Sequence, residues 1–271
     1  MSEDLSLEIL ISTMNRKDLS FLDFMFPTLD TSRYSILIIN QTKYQEDLES
    51  SYPKIRVINS REFGLSKSRN LAIENAQGDI LLIADDDIQY LPDFEKTIFK
   101  AYQTYPEASL ISFQFINEHK ELAKLYPKRE GYITSTKRPL SSVEISFRRK
   151  GVMEYDIRMN KNFGLGSAFV CSEEQLFKSD FLKKDLKVAF VAKPILIHKG
   201  KSSASNLGKQ ESIEATTAYK FIQYNNLVYL WLFKYVFFLF RHKYVSFFGQ
   251  LKAYKIGMEA VKKLKRITNE N

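Results

Sequence analysis

The chain has 271 residues, of which 44% are hydrophobic and 27% charged, and it carries a net charge of +8. That length suits one large domain or one domain with an appendage, and the apolar content excludes a disordered chain. A single cysteine, Cys171, excludes an internal disulfide framework, and the start MSEDLSLEIL lacks the basic end and long apolar run of a secretion signal, so a reducing cytoplasm is the expected compartment.

Residues 7–11 form an apolar run that empties into the polar loop Thr13-Met14-Asn15-Arg16, the pattern of a buried strand followed by a turn. Residues 17–26 carry helical spacing that Pro27 closes, and a second apolar run at 35–39 delivers Asn40 to the same sheet edge. A third short strand is expected at 55–58. Next comes NSREFGLSKSRNLAIENAQGDILLIADDDIQ, residues 59–89, which reads as loop, helix, glycine stop, buried strand and three carboxylates. Ser66 is the expected N-cap there, and Gly78 the residue that tolerates a left-handed helix end. Strands alternating with helices predict a mostly parallel α/β sheet with right-handed crossovers.

Asp85, Asp86 and Asp87 repel one another at the end of a buried strand and call for a counter-charge there. Hard oxygen ligands suit Mg or Mn, and open α/β sheets bind ligands outside the carboxyl ends of their strands. The alternative is an acidic N-cap cluster for the next helix, with Pro92 as its first residue.

Beyond the triplet, Phe94, Ile98, Ala101, Tyr102 and Tyr105 recur at helical spacing and read as core, and residues 108–115 form another strand. Residues 117–162 are polar, basic and weakly periodic, either a solvated face or an acceptor-binding segment. NFGLGSAFVCSEEQL, residues 162–176, places Gly164 and Gly166 before the acidic pair Glu173 and Glu174, and either a helix cap or a catalytic carboxylate fits there. Residues 188–197 are a further strand ending in His198, followed by a loop with Lys199, Lys201, Ser202 and Ser203 suited to phosphate.

The last thirty-one residues hold eight Lys or Arg against two acids, six of the eight excess charges. LVYLWLFKYVFFLF, residues 227–240, would span about 21 Å as a helix, short of the roughly 30 Å hydrocarbon core. Leu251, Tyr254, Met258 and Val261 form a stripe opposite lysines. Together they predict an amphipathic region lying on an anionic membrane surface, with lipid favoured over nucleic acid. A helix pair packed on the catalytic domain or forming a homodimer is the alternative.

The sequence GLSKSRNLAIENAQGDILLIADDD resembles the family 2 glycosyltransferases, whose GT-A domain carries an Arg-Asn helix, a strand and an Asp-x-Asp motif. The resemblance implies that Asp85, with Asp86 beside it, meets the nucleotide, that Asp87 holds Mn or Mg on the diphosphate, and that Arg69 lines the nucleotide pocket. It assigns Thr13, Asn15 and Arg16 to the nucleotide loop. Where relatives commonly carry a base-reading Asp, this chain has Asn40, which can both donate and accept. In the second motif Gly164 and Gly166 approach the acceptor, Ser172-Glu173-Glu174 replaces the commoner Gly-Glu-Asp, Glu174 is the general base, and Glu173 supports it. His198 resembles the histidine that in several GT-A enzymes completes the metal shell or meets the diphosphate. The implied organisation is a GT-A-like domain over residues 1–205, with a nucleotide half at 1–115 and an acceptor half at 116–205, and a helical membrane-docking region at 206–271. The implied activity is inverting, metal-dependent transfer from a nucleotide-sugar, with UDP favoured, to a lipid-linked or cell-surface polysaccharide acceptor at the inner face of the membrane. A non-catalytic assembly subunit or a metal-dependent phosphatase are the competing classes; Ile88-Gln89 in place of Gly-Thr argues against the second.

Overall fold

The computed structural model describes residues 5–27, 30–135, 140–198 and 207–269. The chain divides into two compact units, one comprising Met1–Asn160 and Glu174–Gly200, the other Lys161–Glu173 and Lys201–Asn271.

Among the described residues the first unit holds nine strands: β1 (Leu7–Met14), β2 (Ser35–Gln41), β3 (Ile55–Ser60), β4 (Ile80–Asp85), β5 (Ile88–Tyr90), β6 (Ala108–Ile116), β7 (Gly131–Ile133), β8 (Ile145–Arg148) and β9 (Lys187–His198). They make one α/β sheet in the order β3-β2-β1-β4-β8-β6-β9-β5, with β7 also on β9. The four strands from β3 to β4 are parallel throughout, as is the pairing of β6 with β9. Alternate residues of the parallel strands divide between two cores. Ile9, Ile11, Ile36, Ile38, Ile80 and Leu82 face one, while Leu10, Leu37, Ile39, Leu81 and Ile83 face the other. Helices α1 (Phe21–Met25) and α3 (Phe94–Thr104) cover the first face, and α2 (Leu65–Asn75) and α5 (Glu173–Lys183) the second; α4 (Arg149–Glu154) follows β8. Burial on both faces explains why these strands read as continuous apolar runs.

Several local expectations give way to side-chain chemistry. Helix α1 spans five residues because Asp18 accepts from the backbone and hydroxyl of Ser20, an Asx turn that competes with a longer helix. The cap of α2 is Gly64 at φ 125°, and Ser66 is buried in the first turn. Helix α2 ends at Asn75, so Gly78 is not its left-handed stop; a Cβ there would sit 2.7 Å from Glu8 Cβ. The close approach lets the buried Glu8 carboxylate accept from the Gln77 and Gly78 amides and from Arg56. Pro92 does not open α3, which begins at Phe94 after Asp93 at φ 60°.

In the second unit α6 (Gln210–Tyr224), α7 (Val228–Arg241) and α8 (Gly249–Asn269) share a core of Ile213, Leu232, Tyr235, Val236, Leu239 and Ala253. The loop before α5 belongs to this unit. Lys263 of α8 donates to the Ala168 carbonyl at 2.7 Å and lies over the Phe169 ring. Among the described residues no helix is long and apolar enough to cross a membrane.

Candidate active site

Register brings the candidate nucleotide residues to one edge. Ser12 pairs with Asp85 across β1 and β4, Thr13 with Asn40 across β1 and β2, and Asn40 with Asn59 across β2 and β3, so the carboxyl ends of four parallel strands coincide. Asn15, at φ 54°, turns the chain out of β1; its amide donates to the Gln41 carbonyl and its side chain accepts from the Lys43 amide.

Each carboxylate of the triplet meets a different partner. Arg69, only 2% exposed, donates through Nη2 to Asp85 Oδ1 at 2.8 Å and to Ser142 Oγ at 2.8 Å. Asp86 Oδ2 accepts from Thr13 and from both Nε and Nη2 of Arg16, the latter at 2.6 Å. Asp87 Oδ2 lies 3.3 Å from His198 Nε2. The last contact follows from β5, which turns back immediately after the triplet and pairs antiparallel with β9, setting Ile88 opposite His198.

Asn40 is fully buried. Its amide donates to the Arg16 carbonyl and to Asn59 Oδ1, and its oxygen accepts from the Arg16 amide. The side chain thus fixes the backbone that carries Arg16.

The Asp87 and His198 side chains tune one another. The imidazole hydrogen bond holds the Asp87 carboxyl below its usual range, and the carboxylate raises His198 above 6.5 against the opposing effect of burial. The His198 share of the stabilisation is therefore full below pH 6.5 and lost as pH rises through the raised native value. The Asp87 share is present above pH 3.8 and lost as pH falls through its lowered value. In metal-free protein, nuclear magnetic resonance titration of His198 should give an elevated midpoint that drops toward the ordinary imidazole value in Asp87→Asn; an unchanged midpoint would refute the pairing.

Two donors, a carboxylate oxygen and an imidazole nitrogen, converge at an accessible point, since the Asp87 side chain is 65% exposed. Among the described residues no group of three His, Cys, Asp or Glu gathers to hold a metal. A cation here would therefore take further ligands from phosphate oxygens and water, which is the habit of Mg and Mn rather than of an all-protein cage.

Sequence reasoning missed the brace behind Arg69. Glu144, 1% exposed, accepts from Lys124 Nζ at 2.8 Å, Tyr126 OH at 2.9 Å and the Ser141 amide at 3.1 Å. Burial raises its carboxyl while Lys124 opposes the rise. These bonds pin the turn that presents Ser142 to Arg69. The spacing of Ser141 and Glu144, a capping-box signature, was the available signal.

The acidic pair opens α5. Glu173 is buried at 5% exposure and Glu174 is half-buried, so the second of the two is the more accessible. Ser172 before them has φ 83°, and Gly164 and Gly166 have φ 102° and 77°. Gly164, Gly166 and Glu173 belong to the second unit, whereas Glu174 begins the returning part of the first. A serine at φ 83° is strained where glycine is not, so Ser172→Gly should stabilise the protein by about 1 kcal/mol in denaturant unfolding. A loss of stability would mean that the hydroxyl contributes more than the strain. Lys199, Lys201, Ser202 and Ser203 lie outside the described residues.

The sheet order and the carboxylate edge are those of a GT-A-type fold. Residues 30–157 match the family model described as Glycosyl transferase family 2. The matched stretch contains Asn40, Arg69 and the triplet but neither the Thr13–Arg16 loop nor His198. No curated protein matches the sequence. Among solved structures, Staphylococcus aureus TarS 1-349 superposes with a TM-score of 0.57 at 13% identity, over 95% of this chain and 81% of that one. The same TarS fragment in complex with UDP gives 0.53 at 12% identity, and in complex with UDP-GlcNAc 0.53 at 11%, each over 98% of this chain and 92% of that one.

Proposed function

We propose that the chain is an inverting, divalent-metal-dependent glycosyltransferase that moves a sugar from a UDP-linked donor to a hydroxyl of a lipid-linked or cell-surface polysaccharide acceptor. The observation that carries this reading is the meeting of Asp87 with His198 beside the Arg69–Asp85 and Arg16–Asp86 pairs at the carboxyl ends of four parallel strands. TarS, bound to UDP and UDP-GlcNAc on a similar fold, supports the choice of nucleotide.

In this reading Asp85, oriented by buried Arg69, meets the ribose. Thr13, Asn15, Arg16 and Asp86 form the wall of the nucleotide site, and Asn40 acts through the backbone of Arg16. Asp87 and His198 hold Mn or Mg, which when bound neutralises charge on the departing diphosphate. Gly164 and Gly166 let the backbone approach the acceptor. Glu174 takes the proton of the acceptor hydroxyl as it attacks the anomeric carbon from the face opposite the diphosphate, which inverts that centre. Glu173 supports it. The acceptor class places the chain on the inner face of the cell membrane.

Calorimetry with UDP, dTDP and GDP, each with and without Mn, tests the donor site. Binding of UDP that metal strengthens is expected, and absence of binding by every nucleotide would overturn the reading.

A further inference from the structure

One face of α7 is apolar, exposed and spaced as a stripe. Leu227 just before the helix, then Leu230, Phe233 and Phe237, are 56–75% exposed and lie within about 120° of one another around the axis. The opposite face, with Leu232, Val236 and Leu239, is buried against the neighbouring helices of its own unit. The corner between α7 and α8 adds Phe247 and Phe248, the latter 89% exposed. A patch of this kind on a soluble surface marks an interaction site.

The charge around the patch identifies what covers it. Residues 215–258 contain six Lys or Arg and no Asp or Glu, and Lys234 and Arg241 fall within the stripe itself. A twofold contact between copies through this face would set like charges against each other in an apolar seam, which is unfavourable for desolvated pairs. An anionic bilayer surface instead accepts both features: rings and leucines enter the acyl boundary while Lys234 and Arg241 extend to lipid phosphates. Fourteen residues, about 21 Å, are too short to cross but suit a helix lying in the interface.

We propose that α7, together with Phe247 and Phe248, is the surface by which this protein docks on anionic membranes, with the helix parallel to the bilayer plane. The proposal deepens the placement given above and is read out without any sugar transfer, so its failure leaves the nucleotide result standing, and the converse also holds.

Trp231, the single tryptophan, lies on α7 and reports directly. Full-length protein is mixed with vesicles of phosphatidylcholine alone or with one third phosphatidylglycerol, and flotation is measured with tryptophan emission. Flotation and a blue shift with the anionic vesicles only are expected, weakening as salt rises. Replacing Leu230, Phe233 and Phe237 by Gln should lower partitioning about 100-fold or more, with the unfolding midpoint retained because these side chains are exposed. Lys234→Gln and Arg241→Gln should each lower it about fivefold. Absent flotation at low salt, or partitioning unchanged by the triple replacement, overturns the proposal. So does a stable dimer by sedimentation that these replacements dissociate without any effect of lipid.

Discussion

Glu174→Gln is expected to lower turnover by about 100- to 10,000-fold with donor affinity unchanged, the usual effect of removing a positioned general base. The residue is half-buried in the first turn of α5, on a helix anchored by Phe177 and Phe181 against Phe147 of β8, so the amide should keep the geometry and lose only the basicity. Glu173→Gln is the paired control. Its carboxylate is buried, and its loss should weaken stability more than catalysis. If Glu173→Gln stops transfer and Glu174→Gln does not, the base lies one residue earlier.

Asp87→Asn is expected to abolish the metal-dependent part of nucleotide affinity, a fall of about 100-fold or more, since even residues that only orient metal ligands contribute 10- to 100-fold. Binding measured without metal should hardly change, because Asp87 makes its contact with His198 and not with Arg16 or Arg69. Asp86→Asn provides the contrast. It removes the acceptor for Thr13 and Arg16, so it should weaken nucleotide binding with and without metal alike. Equal metal dependence in wild type and Asp87→Asn would take the cation away from this position.

Strands β1, β2 and β4 were legible because each is buried on both faces and flanked by turn residues, which leaves apolar runs, whereas β3 at the sheet edge is only partly buried. Asp85–Asp87 was legible for a related reason: three adjacent carboxylates at a buried strand end need an electrostatic explanation. Strands β5 and β8, of three and four residues, are too short to show a period, although β5 brings His198 to Asp87 and β8 sits between β4 and β6. The brace from Glu144 to Ser142 was hidden because its members are scattered over residues 124–144 and converge only in the fold. Gly78 illustrates a correct residue with a different cause. The sequence marks a glycine after a helix, whereas the backbone there needs space beside Glu8 and not a positive φ.

The bond from Lys263 to the Ala168 carbonyl joins α8 to the segment that carries Gly164 and Gly166. Thermodynamic linkage follows if both proposed ligands act on that one body. Whatever factor a lipid surface contributes to acceptor affinity by ordering these helices, the acceptor must return to lipid affinity. Lys263→Met should uncouple the two, leaving each ligand bound on its own but indifferent to the presence of the other.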